Sequence, residues 1–251
     1  MTDQGVSRLD EGTLSLLRYP VDCVKGSATQ SPAPTILPSY LCRNTELTHD
    51  EQVMRAQAIW NLARPLTRTL GEKYLRSRKI DFNPPELKFL WRSGVGSGAQ
   101  KAYRPAIIAA IRDHTGLTAI ARTVLRSDGL AKSKLDQTSD MIGVPRGSIG
   151  RWGPMPFDTL RLAENSEEAA SAMIVGSLGT PVWPVFGASR YAAIDIPDTI
   201  RRVIIYTHQS ETADDAIARA VPHLTSGNRA LEIEYAPDGL GWNDYLQQLR
   251  R

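Results

Sequence analysis

Polar side chains follow two apolar runs in the C-terminal part of this chain, and they are the residues best placed to do chemistry. Glu164 comes directly after the run 160–163, and a segment that contains His208 follows the run 203–206. If both runs are parallel strands, their carboxyl ends meet at one edge of a sheet, where ligands bind in such folds. A carboxylate there could hold a divalent cation, although Mg²⁺ normally takes more oxygen ligands than this one certain acid supplies.

The elements that would position these side chains alternate between strand and helix. Asn165 and Glu168 have the spacing of a helix capping box, so a helix is expected to begin there. The apolar stripe from 213 to 224 predicts a second helix, and 182–186 and 230–235 predict further strands. We therefore expect an α/β layer with a parallel sheet in the C-terminal half.

Length and composition place the chain among ordinary soluble proteins. It has 251 residues, 41% hydrophobic and 23% charged, and no apolar run approaches the roughly 20 residues that cross a bilayer. Its two cysteines are too few for a disulfide scaffold or a closed zinc site. Because the first residues are acidic and lack an apolar leader, we expect a cytoplasmic protein with no membrane partner.

Charge is unevenly distributed along the chain. Residues 51–112 carry 12 Lys and Arg against 4 Asp and Glu, whereas residues 158–251 carry 8 against 13. A basic block beside an acidic one is typical of a protein that grips phosphate groups. A solvated helical surface explains the same charges equally well.

The chain divides into three predicted parts. Residues 1–47 contain a stretch rich in Pro and Ser, so we expect a poorly ordered segment or linker. Residues 48–156 are predicted to form a basic subdomain of helices and strands, with a helix that opens at Thr48 and a hairpin whose turn is 113–116. Residues 157–251 make up the predicted α/β domain.

The candidate nucleic-acid-binding residues are cations of the basic subdomain. They are Arg68, Lys73, Arg76, Arg78, Lys79, Lys132, Lys134, Arg146 and Arg151. The first five crowd around a predicted helix that carries Tyr74, and the last four lie in a Gly-rich connection. Cations bind phosphates and a tyrosine can stack on bases, but Tyr74 fits a core position better. The Gly-rich connection fits an ordinary loop at least as well.

From about Ala58 to Leu246 the chain resembles the Toprim-containing primases of phages and plasmids, which are often fused to a helicase. The segment AIWNLARPLTRTLGEKYLRSRKI resembles the helical opening of that family, and Asp128, Gly129 and Lys132 match its "DG…K". LRLAENSEEAASAM stands in place of the motif "EGxETALA", and GLGWNDYL resembles the closing "DWNDxL". The resemblance implies an α/β (α+β overall) fold with a Toprim-like Rossmannoid parallel sheet, preceded by a helical and β-hairpin primase-type half.

The departures from the family pattern bear on function. Glu164 keeps the first acid of the family's metal site, but His208 and Ser210 stand where the family has Asp-x-Asp. Gly241 replaces an acid of the last motif, although Asp244 remains. Since His and Ser are poor Mg²⁺ ligands, no metal or other cofactor is expected, and Glu164 is interpreted as a remnant that caps or orients the following helix.

Three functions stay open from the sequence. The first is a catalytically inactive accessory protein that binds DNA or RNA, single-stranded by preference, together with a replication, conjugation or defence protein. The second is an active Toprim-type primase or nuclease that uses Glu164 with Asp244 or Asp214, and His208 in addition, around Mn²⁺ in preference to Mg²⁺. The third is a protein–protein adaptor or inhibitor derived from a primase. An origin in a phage, plasmid or other mobile genetic element follows from the resemblance alone.

Overall fold

The structure is a computed structural model that describes residues 47–84, 86–95, 102–134 and 139–251. The predicted N-terminal segment 1–47 therefore lies outside the described residues, apart from its last position. Within the described ranges the chain folds into two sheets, one antiparallel and one parallel. None of the helices in these ranges is both long enough and apolar enough to cross a membrane.

The first sheet and its helices occupy the first half of the described chain. In order, the elements are α1 (His49–Leu62), β1 (Arg64–Pro65), α2 (Leu70–Ser77), β2 (Leu87–Val95), β3 (Ala102–Arg112), β4 (Leu117–Val124) and β5 (Ser139–Gly143). The five strands are antiparallel neighbours in sequence order. The predicted capping box is present at the start of α1, where Thr48 and Glu51 bond reciprocally. The predicted turn is also present, because the Asp113 carboxylate accepts the N–H groups of Thr115 and Gly116.

The second sheet carries the predicted strand and helix alternation. Its elements are β6 (Thr159–Ala163), α3 (Ser166–Val175), β7 (Trp183–Pro184), β8 (Arg202–Thr207), α4 (Glu211–Leu224), β9 (Ala230–Tyr235) and α5 (Trp242–Leu249), with short 3-10 helices at 188–192, 226–228 and 237–239. All its strands are parallel, in the order β7-β6-β8-β9. The predicted strand 182–186 is thus only two residues long, whereas the fold class is confirmed.

Strand β3 shows how the two halves meet. Its side chains alternate between two hydrophobic clusters, as the twofold period of a strand requires. Ala106, Ile108 and Ala110 pack with α1 on one face. Ile107, Ala109 and Ile111 join a larger cluster that continues into the parallel sheet. One core runs through both sheets, so no gap in the packing marks a boundary between them. The predicted boundary between 156 and 157 stays a prediction.

Candidate functional site

A cavity of about 310 Å³ lies where the end of β6 faces the antiparallel sheet. Residues 164–167 form one side, side chains of β3, β4 and β5 form the other, and Lys132 also contributes to the wall. We call this the strand-end cavity. It occupies the position where the carboxyl ends of parallel strands offer a ligand site.

Glu164 lines the strand-end cavity with a carboxylate that has no hydrogen bond or salt bridge to any residue the structure describes. The helix cap belongs to its neighbour, since the Asn165 side chain accepts the N–H groups of Glu167 at 3.0 Å and Glu168 at 3.1 Å. The interpretation of Glu164 as the cap of α3 is therefore wrong. Its carboxylate is left available to whatever enters the cavity.

Glu167 is the buried charge of the strand-end cavity, only 7% exposed. Its carboxylate lies 2.8 Å from the Lys132 ammonium and 3.5 Å from the Arg78 guanidinium. Two cations offset the cost of burying one carboxylate. The same carboxylate, after burial itself, raises the pKa of the Tyr74 hydroxyl in the core. Lys132 and Arg78, both predicted to hold nucleic acid, are thus already paired inside the protein.

Glu168 connects α3 to the N-terminus of α5. Its carboxylate accepts the backbone N–H of Trp242 at 2.7 Å, where the N-cap residue Gly241 has no side chain to do so. The second half of the predicted capping box is therefore wrong, because Glu168 turns away from its own helix. Burial raises the pKa of Glu168, while the backbone hydrogen bonds from α5 oppose that rise.

The buried hydroxyl of Tyr191 lies within reach of the Glu164 and Glu168 carboxylates. Tyr191 is 1% exposed, and its hydroxyl oxygen has no hydrogen-bond partner among the residues described. Its pKa is raised first by burial and then by the negative charges of Glu164 and Glu168. The Tyr191 hydroxyl is therefore buried within reach of the charges of Glu164 and Glu168.

None of the other candidate catalytic residues is among those that line the strand-end cavity with Glu164. His208 follows β8, the parallel neighbour of β6, and is half-buried. Ser210 caps α4 by accepting the N–H of Ala213 at 3.2 Å. Asp244 is exposed on α5 and lies 3.8 Å from the Arg78 guanidinium. Ser210 and Asp244 therefore have partners outside the cavity.

The candidate ligands Glu164, His208 and Asp244 do not fit the Mg²⁺ or Mn²⁺ ion that the resemblance implies. A Mg²⁺ site needs several oxygen ligands directed at one point, but Glu164 alone is both unpaired and in the strand-end cavity. Within the described ranges, no three His, Cys, Asp or Glu side chains are arranged to hold a metal ion.

The predicted cations around α2 are mostly exposed. Lys73 donates to the Asp128 carbonyl at 2.9 Å, and Arg76 lies 3.6 Å from Glu72 on the same helix. Arg68 precedes the helix and Lys79 follows it, both with side chains in solvent. Arg78 is the exception, because it closes the helix and faces the acids of α3 and α5.

The cations of the Gly-rich connection do not form one surface with them. Arg146 is exposed and donates to the ring of His49, and Lys134 is exposed at the end of a described range. Arg151 lines a different cavity of about 30 Å³ beside Asp113 and Asp195, and its Nε has no hydrogen-bond partner among the described residues. The nine predicted residues are therefore divided among several environments.

Sequence reasoning missed Glu167 and Tyr191. The signal for Glu167 was available in the sequence, because it stands at the second acid of the motif "EGxETALA". In the structure it lies beside Lys132, the Lys of "DG…K". Tyr191 lies in a 3-10 helix within a segment that showed no periodicity. Only the folded chain brings it to the two carboxylates.

Two family models match this chain, one in each half. Residues 50–152 match a domain of unknown function, DUF7146, and residues 159–250 match the Toprim domain family. A search among curated protein sequences finds no match.

Solved primase structures share this fold at low sequence identity. A DNA primase domain from Pseudomonas aeruginosa is 12% identical over 78% of this chain and 74% of that one, with a TM-score of 0.51. The DnaG primase catalytic domain bound to ssDNA is 15% identical over 77% and 73%, with a TM-score of 0.50. The zinc-binding and RNA polymerase domains of the Aquifex aeolicus primase are 15% identical over 82% and 61%, with a TM-score of 0.52.

Proposed function

We propose that this Toprim primase-like protein binds nucleic acid as an accessory factor and has lost the metal-dependent chemistry associated with its fold. One observation carries the proposal: His208, Ser210 and Asp244 are not among the residues that line the strand-end cavity with Glu164. Ser210 caps a helix, and Asp244 faces Arg78. The other carboxylates of the cavity, Glu167 and Asp140, are already paired with cations, so among the described residues Glu164 has no free second carboxylate there with which to share a metal ion.

Two features support nucleic acid as the ligand. The first half of the chain is basic, and several of its cations, including Arg68, Lys73 and Lys79, extend into solvent. Exposed cations bind phosphates by releasing condensed counterions. A similarly folded primase domain has been solved with single-stranded DNA, which is a property of that protein and a reason to test this one.

Fluorescence anisotropy with labelled single-stranded and duplex DNA tests the proposal. We expect binding to single strands that weakens steeply with salt and does not change when Mg²⁺ or Mn²⁺ is added. An absolute requirement for metal would overturn the loss of metal chemistry. Failure to bind any DNA or RNA oligonucleotide at low salt would overturn nucleic-acid binding and leave an adaptor or inhibitor of another protein.

A triple substitution locates the phosphate contacts. Changing Arg68, Lys73 and Lys79 together to Gln should lower the slope of log affinity against log salt by about 2, because each phosphate contact to a single strand contributes about 0.7. The matched control changes three exposed arginines of the acidic half, Arg201, Arg219 and Arg251. An equal loss in both variants would mean that net charge, and not this surface, determines binding.

Retained catalysis is the second candidate, and the unpaired carboxylate of Glu164 favours it. Product formation from nucleotides on a single-stranded template, assayed across several divalent metals, would be abolished by Glu164→Gln if this candidate is right. No turnover under any of these conditions would exclude it.

A further inference from the structure

Strand β2 redirects two side chains at a β-bulge. Regular pairing with β3 runs up to Leu90 and resumes at Ser93, so Trp91 and Arg92 lie in the irregular step between them. Strand side chains normally alternate between faces, yet these two consecutive residues are both exposed. Bulges re-aim side chains in this way and are frequent at sheet edges.

The redirected residues line an open groove of about 530 Å³, which we call the tryptophan groove. Its lining residues are Leu62, Arg64, Phe89, Leu90, Trp91 and Arg92. Strand β1 pairs with β2 only through Arg64 and Pro65, so the groove opens where this short strand ends. Among the described residues, two arginines and no acid line it, which makes it a cationic surface with an apolar floor.

Aromatic contacts hold the groove's side chains in place. The Trp91 ring meets the edge of Phe89 with centroids 5.8 Å apart, and the Arg64 guanidinium lies 5.7 Å from the Phe89 centroid. The Arg92 guanidinium lies 4.8 Å from the centroid of Tyr103. Neither guanidinium forms a hydrogen bond or salt bridge with another residue in the described ranges. Their N–H donors are therefore oriented but not consumed.

Trp91 differs from every other tryptophan of the chain. It is 58% exposed, whereas the other four are at most 9% exposed. A tryptophan is usually largely buried, and an exposed one between two arginines offers a flat apolar face flanked by positive charge. That combination fits a base and its adjacent phosphates, since aromatic stacking serves every base and arginine binds the backbone.

We infer that the tryptophan groove binds single-stranded nucleic acid, with a base stacked on Trp91 and the neighbouring phosphates held by Arg64 and Arg92. A duplex is a poor occupant because its bases are stacked on each other inside the helix. The inference rests on the proposed function and adds a contact surface separate from the cations around α2.

Tryptophan fluorescence reads this site directly, because Trp91 alone among the five is widely exposed. Titration with an unlabelled oligothymidylate of about 12 nucleotides, enough to cover one binding site, should quench the emission of the wild-type protein. Trp91→Leu should abolish the quenching and weaken binding, measured by anisotropy, roughly 5- to 100-fold. Trp91→Phe, which keeps a ring, should retain most of the affinity. The control is Phe157→Leu, since Phe157 is 92% exposed outside the groove.

Charge is tested separately from stacking. Arg64→Gln and Arg92→Gln should each lower the salt slope by about 0.7, while Arg219→Gln on α4 should leave it unchanged. Oligoadenylate in DNA and RNA forms shows whether the groove discriminates between the two, and binding of either form agrees with the inference.

The outcomes separate the two proposals. Suppose that the wild-type protein binds oligonucleotides without quenching and that Trp91→Leu binds them with the same affinity. The groove is then not the site, and the proposed function stands. If wild-type protein binds no oligonucleotide at low salt, the proposed function and this inference fail together.

Discussion

The strand-end cavity and the tryptophan groove treat charge in opposite ways. In the cavity, the Glu167 carboxylate is buried and paired with Lys132 and Arg78. In the groove, Arg64 and Arg92 rest on aromatic rings and have no anionic partner in the part of the chain that the structure describes. The cavity has the position expected of a catalytic site but only one unpaired charge, Glu164, whereas both arginines of the groove have the free donors expected of a binding site. Position in the fold and availability for a ligand are therefore different properties.

This difference predicts that substitutions in the cavity change stability and that substitutions in the groove change binding. A buried charge that loses its partner is costly, whereas an exposed arginine contributes little to folding. Four experiments test this division and the polar contacts that lie outside both regions.

The largest effect is expected for Glu167→Gln. It leaves Lys132 and Arg78 without their buried anion, and should lower the free energy of unfolding by about 2 to 3 kcal/mol, less than for fully buried pairs because both cations are partly exposed. Urea denaturation measures the loss. Glu164→Gln is the matched control, since that carboxylate has no partner in the described structure, and should change stability by less than about 0.5 kcal/mol. Equal losses in both variants would contradict the division.

Glu168→Ala removes the acceptor for the first N–H of α5 and should cost about 1 kcal/mol, as loss of a helix cap does. Glu168→Gln keeps an acceptor oxygen and should cost less. Burial raises the pKa of Glu168 above its ordinary 4.5, so between 4.5 and that raised pKa the folded state binds more protons than the unfolded state. The contribution of Glu168 to stability therefore falls as pH rises through this range. Denaturation midpoints should lose this pH dependence in Glu168→Gln, and an unchanged profile would refute the assignment.

Arg78→Gln and Arg92→Gln compare the same substitution in the two regions. Arg78 faces Glu167 and Asp244, so its loss should cost about 0.5 to 1 kcal/mol of stability with little change in the salt slope of binding. Arg92→Gln should show the reverse. The free energy of unfolding and the salt slope of binding are measured on both variants. A larger decrease of the salt slope in Arg78→Gln than in Arg92→Gln would mean that Arg78 contacts phosphate.

The smallest effect is expected for Asp81→Asn. A hydrogen bond from Arg250 lowers the pKa of Asp81, so the ion pair contributes above pH 3.8 and its contribution is lost as pH falls through the lowered pKa of the folded state. Because the pair is exposed, the loss at neutral pH should be below about 0.5 kcal/mol. A thermal melting series at several pH values measures it, and a larger loss would show that the contact between α5 and the segment after α2 holds the halves together.

The sequence was sufficient for features that depend on local chemistry. The box at Thr48, the turn at Asp113 and the cap at Asn165 each involve residues two or three positions apart, and each is present. The fold class followed from apolar periodicity together with the resemblance. These features are readable because the interacting groups are close in the chain.

Features that join distant segments were not readable. Glu168 bonds to Trp242, 74 positions away, because α5 begins with a glycine that cannot cap it. Arg78 looked like a surface cation, and only its salt bridge to Glu167 in the folded chain shows that its charge is paired. Trp91 looked like an ordinary strand residue, since nothing in the sequence marks the bulge that turns it outward.

The core that runs through both sheets has a consequence for dividing the chain. The Trp183 indole N–H donates to the buried carbonyl of Trp152 at 2.9 Å, and the Asn243 amide donates to the carbonyl of Arg78 at 3.0 Å. A fragment cut between the two family matches would expose apolar surface on both pieces, remove the acceptor of the Trp183 indole, and leave the Asn243 amide with only the Ser171 hydroxyl as acceptor. We therefore expect the two halves to be expressed, transplanted and inherited together, as one unit in engineering as well as in folding.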